Sequence, residues 1–375
     1  MAGIYIHVPY CKTKCIYCDF FSQTNSLSQS AYVQSLCNEI ALRKTYLDNE
    51  PVKTIYFGGG TPSQLSLDEF KSIFGAIYAA FEVEENAEIT IEANPDDLSE
   101  QYISQLVTLP INRISIGIQS FEDRELKFLK RRHSAQQAKD VVRLCQRSGY
   151  NNISIDLIYG LPDQTMDIWK KNIEEAMQLN VQHISAYHLI YEEGTKLYKL
   201  FTHGDVKAVD EEVSVDMFSY MMDRLGNEGF EHYEISNFAK PNFHSRHNSS
   251  YWLGDKYLGL GPAAHSFDGI HRAWNISSIS KYIDGINKGS PNIEIEEADK
   301  KSRYNDFILT GMRTKWGVSL THLEKLFGQA MLEYCLKNAQ KYIHQGVVIR
   351  EKDTLTLSKE GIFISDGIMS DLMWV

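Results

Sequence analysis

The stretch Cys11-Lys12-Thr13-Lys14-Cys15-Ile16-Tyr17-Cys18 follows the apolar run at residues 3–8, almost at the N-terminus. Three cysteines at C-x3-C-x2-C spacing can converge on one point from a single loop. Cysteine thiolates are the usual ligands of iron–sulfur clusters. A four-iron cluster held by three cysteines leaves one iron open to an external ligand, and that open iron is where chemistry can occur. Zinc is the rival, but a structural zinc site wants four protein ligands, commonly in two paired spacings. The nearest fourth candidate, Asp19, directly adjoins Cys18 and is badly placed. Three clustered cysteines also cannot all pair as disulfides. The spacing favours the cluster.

The rest of the composition is that of an ordinary globular chain. It has 375 residues, 43% hydrophobic and 23% charged, enough for a sizeable core. A formal net charge of -11 argues against a nucleic-acid surface, which needs a basic stripe. Six cysteines in this length do not make a disulfide scaffold, and Cys37, Cys145 and Cys335 read as small core residues. No apolar run approaches the roughly 18 residues of a membrane span. No signal peptide precedes the first strand, so a reducing cytoplasm is the expected compartment. That leaves room for peripheral membrane contact.

Working outward from the cysteines, strand-like segments at 3–8, 52–57, 87–93, 113–118, 152–159 and 183–189 alternate with helical patterns. The clearest of these helices are at 30–47, 67–81, 135–148 and 166–179. Six such repeats imply an α/β fold with a parallel sheet, curled into a barrel or an open part-barrel. Active sites of such folds form at the C-terminal ends of the strands. There lie the cysteine loop, Gly58-Gly59-Gly60-Thr61-Pro62, Glu92, Gln119 and Asp156. The glycines suit either close backbone approach to a ligand or a tight strand-to-helix turn. Glu92 and Asp156 could accept hydrogen bonds from an amine or from ribose hydroxyls. Arg131, in Lys130-Arg131-Arg132-His133, could grip a carboxylate bidentately, although such a run by itself reads as a solvated helix end.

Past residue 200 the pattern changes. An amphipathic helix is expected at 206–225 and a strand at 230–235, followed by an aromatic- and histidine-rich irregular segment at 237–267. The chain thus divides into a core at 1–200, an extension at 201–298 and a small helical module at 299–375. In the module, helices at 302–314, 319–327 and 330–345 precede a hairpin of 347–350 with 354–357 and a closing helix at 361–373, a winged-helix-like order. Six Lys/Arg against seven Asp/Glu from residue 318 onward disfavour DNA binding by it.

Beyond the cysteine triplet, the chain carries Tyr5-Ile-His-Val-Pro-Tyr-Cys11, Tyr56-Phe-Gly-Gly-Gly-Thr-Pro62, Glu92-Ala-Asn-Pro95, Ser115-Ile-Gly-Ile-Gln-Ser-Phe121 and Ile155-Asp-Leu-Ile-Tyr-Gly-Leu-Pro162. Together these resemble the radical S-adenosylmethionine (SAM) superfamily, in the branch of oxygen-independent coproporphyrinogen III oxidases and the heme chaperones related to them. The resemblance implies a partial (β/α)6 TIM-like barrel with a [4Fe-4S] cluster on Cys11, Cys15 and Cys18. It also implies SAM on the fourth iron, split on reduction into methionine and a 5′-deoxyadenosyl radical. By motif position, Tyr5, Tyr17, Gly59, Gly60, Thr61, Glu92, Gln119, Arg131 and Asp156 match SAM-contacting positions of the family, with Ile190 a weaker further match.

Three features resemble the chaperones rather than the oxidases. Only ten residues precede Cys11, where the oxidases carry an extension. Phe20 stands where the oxidases have a fourth cysteine. His247-Asn-Ser-Ser-Tyr251-Trp252 matches an H-N-x-x-Y-W motif associated with heme handling. Imidazole is a good axial ligand for heme iron, and Tyr251 and Trp252 could pack on the porphyrin. A lone histidine is nonetheless more often a hydrogen-bonded structural residue, and His244 and His265 stand in reserve. The resemblance implies a chaperone that binds heme, cluster and SAM and passes heme to respiratory cytochromes or heme enzymes, with an electron donor for the cluster and no catalytic residue assigned. The alternative is oxidative decarboxylation of coproporphyrinogen III.

Overall fold

The computed structural model describes residues 2–375. Its main sheet holds twelve strands. In chain order these are β1 (Ala2–Val8), β2 (Val52–Gly59), β3 (Val83–Ala93), β4 (Arg113–Gln119), β5 (Ile153–Tyr159), β6 (His183–His188), β7 (Glu231–Glu234), β8 (Asn237–Ala239), β9 (Tyr257–Leu260), β10 (His265–Phe267), β11 (Arg272–Asn275) and β12 (Ile293–Glu296). Across the sheet the order is β12-β11-β10-β9-β1-β2-β3-β4-β5-β6-β8-β7. Strands β1 to β6 pair in parallel and in sequence, as right-handed β-helix-β units require. The α/β part-barrel is therefore present with its extra strands.

Several helices between these strands begin where a side chain satisfies a free N–H group. Leu67–Ala80 starts on a capping box of Ser66 and Glu69, and Ala135–Arg147 on one of Ser134 and Gln137. Helices Gln29–Leu42 and Met166–Gln178 bury one face each against the sheet, through residues such as Leu36, Ile40, Trp169 and Ile173. Those side chains join the strand interiors in one apolar core.

The segment at 237–267 is not irregular. It contains β8, the helix Arg246–Trp252, β9 and β10. Strands of three or four residues are too short to generate a period, which is why the sequence pattern misses them. Strand β9 runs parallel to β1 on the side away from β2, and the antiparallel β10–β12 continue from it. A buried carboxylate ties this extension to the barrel. Glu39, fully buried, accepts from Arg43 Nη1 (3.3 Å), Asn275 Nδ2 (2.7 Å), the Gly261 N–H (2.9 Å) and the Tyr282 hydroxyl (2.7 Å). Arg43 in turn donates to the Gly259 carbonyl (2.9 Å) and Ser266 Oγ (3.1 Å).

The last residues have their own apolar cluster, centred on Tyr304, Ile308, Leu323, Cys335 and Leu372. Here β13 (Val318–Ser319) follows the first of three helices, and β14 (Val348–Glu351) and β15 (Thr354–Leu357) follow the third, the three strands forming one small sheet. Contact with the rest of the chain includes residues 313–316. Arg313 pairs with the buried Glu234 (2.9 Å), and the Lys315 N–H donates to the Tyr233 carbonyl (3.0 Å).

Removing one member of a buried charged pair strands the other without a partner and typically costs about 3–5 kcal/mol. Glu39→Ala is expected to destabilise the chain by that amount in chemical denaturation. A loss below about 1 kcal/mol, the scale of a surface pair, would show that the extension is held by other contacts.

Candidate functional site

The six parallel strands end around one cavity of about 450 Å³. Cys11, Cys15 and Cys18 line it together with Tyr17, Gly59, Gly60, Thr61, Glu92, Gln119, Arg131 and Asp156, and Ile190 lies on its wall. Of the residues matched to SAM contacts, Tyr5 alone stays off the wall. Its hydroxyl is hydrogen-bonded to His7 Nδ1 (3.1 Å), deeper in the barrel.

The cysteine loop is pinched at its base, where the Cys11 N–H donates to the Gln23 carbonyl (3.0 Å) and the Gln23 N–H to the Pro9 carbonyl (2.9 Å). Two thiols accept hydrogen bonds, Cys11 from Thr61 Oγ1 (3.3 Å) and Cys15 from Arg131 Nη1 (3.4 Å). Burial pushes the Cys18 thiol up to about 11. Loading a metal centre there must therefore displace a proton. Among the described residues, no three His, Cys, Asp or Glu side chains converge tightly enough to hold a single metal ion. Three thiols lining one cavity are the donor chemistry of an iron–sulfur cluster.

Local backbone explains how the remaining groups reach the cavity. Gly59 has φ +102°, and a Cβ on Gly60 would lie 2.7 Å from the Val8 carbonyl oxygen. Both demands come from β1 and its loop, so the glycines are needed for chain packing whether or not a ligand also approaches. At the end of β4 a bulge between Gly117 and Gln119 coincides with φ +72° at Gln119, which turns that side chain inward.

Arg131 is not a solvated helix end. Its Nη2 donates to Asn94 Oδ1 and to the Gly117 carbonyl, both at 2.5 Å, while its buried Nε has no partner. Asn94 passes the connection on, donating to Thr61 Oγ1 (3.2 Å). Guanidinium, amide and hydroxyl thus link Cys15 to Cys11. The sequence reading quoted the Glu92-Ala-Asn-Pro95 motif without giving Asn94 a role. Arg132 pairs instead with Asp96 and Asp97, which frees Arg131 for the cavity.

Glu92 and Asp156 sit deep in the barrel and face the cavity. Desolvation raises Glu92 to about 7, against the pull of the Tyr56 hydroxyl (2.7 Å to Oε1) and the Gly59 N–H. Desolvation likewise raises Asp156 to about 6, opposed first by the charge of the buried Arg113. Arg113 leaves Nε and Nη1 without partners. An ammonium group entering the cavity would meet two carboxylates, and a carboxylate would meet Arg131.

The heme-associated motif lies elsewhere. His247 is fully buried towards the opposite end of the barrel, beside Thr54 near the start of β2 and Glu88 midway along β3. Its Nδ1 is bonded to Thr54 Oγ1 (2.8 Å) and its Nε2 to the Tyr251 hydroxyl (2.7 Å). The ring stacks on Tyr56 at 5.0 Å, and the His247 N–H donates to Glu88 Oε1 (3.0 Å). Burial lowers its pKa to about 3, so it is neutral. Trp252 lies under the Arg313 guanidinium at 5.0 Å, facing the C-terminal module. Both ring nitrogens of His247 are thus engaged by neighbouring side chains. The motif's polar atoms are used against the polar strand ends.

Three thiols, a glycine turn and paired carboxylates at the strand ends of a parallel part-barrel define a radical SAM protein. A model of the radical SAM superfamily matches residues 5–176, and one of the HemN C-terminal domain matches residues 298–364. Heme chaperone HemW of Lactococcus lactis subsp. lactis is 33% identical over 373 residues, covering 98% of this chain and 96% of its own. The Bacillus subtilis protein of that name is 32% identical, with 98% of each covered. The chain belongs to the HemW family of radical SAM proteins. That membership implies a [4Fe-4S] cluster and SAM. Coproporphyrinogen III oxidase (HemN) from Escherichia coli shares the fold, with a TM-score of 0.85 over 99% of this chain and 90% of that one, at 18% identity.

Because the folded-state value of Glu92 lies above the ordinary 4.5, the fold favours the protonated carboxyl. Folding takes up a proton between about pH 4.5 and 7, and stability falls as pH rises through that window. Glu92→Gln is expected to make this decline shallower in denaturation curves, Asp156 supplying the remainder. An unaltered slope would mean that Glu92 titrates normally.

Proposed function

We propose that this protein is a heme chaperone: it binds heme, a [4Fe-4S] cluster and SAM, and hands heme to acceptors such as respiratory cytochromes or heme enzymes. The observation that carries this reading is the similarity to HemW chaperones along almost the whole chain, at 31–33% identity in the first four of them. The oxidase shares the fold at only 18% identity, so decarboxylation of coproporphyrinogen III is not favoured. Phe20, where the oxidases have a fourth cysteine, is 62% exposed beside the cavity, so a bulky apolar ring stands there instead of a thiol.

In this reading Cys11, Cys15 and Cys18 hold the cluster, and the bound pair supplies one-electron reduction of the SAM sulfonium. The protein's own groups orient SAM. Arg131 would hold its carboxylate, Glu92 its ammonium, and Asp156 and Gln119 its ribose. Arg131, already bonded to Cys15, would join the SAM and cluster subsites through one guanidinium. Residues 1–200 form the cofactor-binding core, 201–298 the heme-handling extension and 299–375 a contact module for acceptors. The acting compartment is the cytoplasm, where an electron donor reaches the cluster. Among the described residues no helix is long and apolar enough to cross a membrane.

Cluster-loaded, heme-loaded protein should transfer heme to an apo-cytochrome under anaerobic conditions. Turnover of coproporphyrinogen III to protoporphyrinogen IX would overturn the chaperone assignment. Glu92 must lose its proton to pair with an ammonium, and it does so near pH 7. SAM affinity of the reconstituted protein is therefore expected to weaken as pH falls below about 7, and to lose that dependence in Glu92→Gln. Calorimetry across pH reads this directly, and a flat profile in the unaltered protein would remove Glu92 from the SAM site.

A further inference from the structure

With both nitrogens of His247 engaged, the proposed heme function needs another ligand. Eight of the twelve histidines hydrogen-bond a ring nitrogen to the protein. The others, His203, His265, His322 and His344, are all exposed. Only His265 and His322 lie against an aromatic ring, Trp274 at 5.6 Å and Phe307 at 5.6 Å. His322 belongs to the C-terminal module, whereas His265 opens β10 on the sheet that builds the cavity.

The register of the extension puts a coherent set around His265. Across β10 and β11, His265 stands opposite Trp274 and Phe267 opposite Arg272; Phe267 also faces Tyr257 of β9. Directly opposed and alternate residues share one side of a sheet. The intervening Ser266 and Ala273 are buried on the other side. One face thus presents an imidazole, three aromatic rings and a guanidinium, with Glu294 and Glu296 of β12 opposite Trp274 and Arg272 at its far edge. Diagonal neighbours on such a pair lie about 7–8 Å apart. With an iron at His265, a carboxylate on the macrocycle's edge can reach Arg272, whose present partner is the half-exposed Asp306 (2.8 Å).

We propose that His265 is the axial ligand of heme iron, with Trp274 and Phe267 flanking the macrocycle and Arg272 binding a propionate. This rests on the heme-chaperone reading and gives that ligand a place. Burial and the nearby Arg272 keep the imidazole's pKa below its ordinary value, so the coordinating neutral form prevails at neutral pH. Coordination transfers no electron and breaks no bond. A single ligand on an open face also suits delivery, because an acceptor's own ligand can reach the iron before His265 lets go. The neighbouring His7 is buried and bonded to Phe21, so it supplies no second ligand without rearrangement.

The test is titration of the full-length protein with hemin, following the Soret band. His265→Ala is expected to weaken binding by about tenfold or more, and His265→Cys to move the band to a thiolate-ligated position. His322→Ala should bind as the unaltered protein does. Because His265 is exposed and donates no side-chain hydrogen bond, thermal melting of these variants should not change. If unaltered protein binds hemin and His265→Cys leaves its spectrum in place, or if His322→Ala abolishes binding, this assignment is overturned while the chaperone reading stands. If the unaltered protein binds no hemin, the chaperone reading itself falls, and this site with it.

Discussion

Three separate segments of the chain crowd onto the C-terminal end of β1, and the site depends on that crowding. The Gly60 N–H donates to the Val8 carbonyl (2.8 Å), and the Tyr32 hydroxyl donates to the His7 carbonyl (2.8 Å). Gly261, at φ +95°, comes so close from the other side that a Cβ on it would lie 2.6 Å from the same His7 oxygen. A methyl group in either glycine position would have to displace backbone, which cannot move without shifting a strand. The cysteine loop leaves β1 immediately beyond this point. Its origin is therefore fixed from the barrel side by β2 and from the extension side by the turn after β9. The buried Glu39, which accepts the Gly261 N–H, holds that second contact in register.

The barrel interior is polar, which is unusual for a space that could have been filled by branched apolar side chains. Tyr5, Tyr56, Glu92, Arg113, Asp156, His183 and His247 occupy it. For both carboxylates desolvation outweighs every attraction, including that of Arg113. They thus titrate close to neutral pH, and an incoming cation favours their ionised forms, the protons passing to solvent. A cationic ligand gains from their ionisation, and the strands supply carboxylates that resist charging alone. This arrangement suits selective capture of an ammonium better than a permanently ionised pair would.

The six parallel strands and the residues at their ends were legible because each strand is long enough to carry a hydrophobic run, and because strand ends share a face. Position along a strand was less informative. His247 and Glu92 each belong to conspicuous motifs, yet nothing in the order of residues says that one lies at the floor and the other at the mouth. The partners that settle the matter, Thr54 and Glu88, sit in unremarkable strand segments. Arg131 was hidden in a basic run in which its neighbour Arg132 pairs with Asp96 and Asp97 instead. Strands β8 to β12 were missed because three- and four-residue strands carry no period, although their turn glycines marked the boundaries.

The floor and the mouth of the barrel nevertheless share a side chain. Tyr56 stacks on the His247 ring from one side and donates its hydroxyl to Glu92 on the other. The helix Arg246–Trp252 reaches further, through Trp252 and Arg313, to the C-terminal module. A change at His247 therefore acts on the cavity through Tyr56 and on the module through its helix, with no ligand at the histidine itself. Loss of heme binding on replacing His247 would be the expected result of either ligation or collapse of this support, and so cannot distinguish them. The spectral identity of the iron's ligand does, because only a coordinating residue changes it when its donor atom is exchanged.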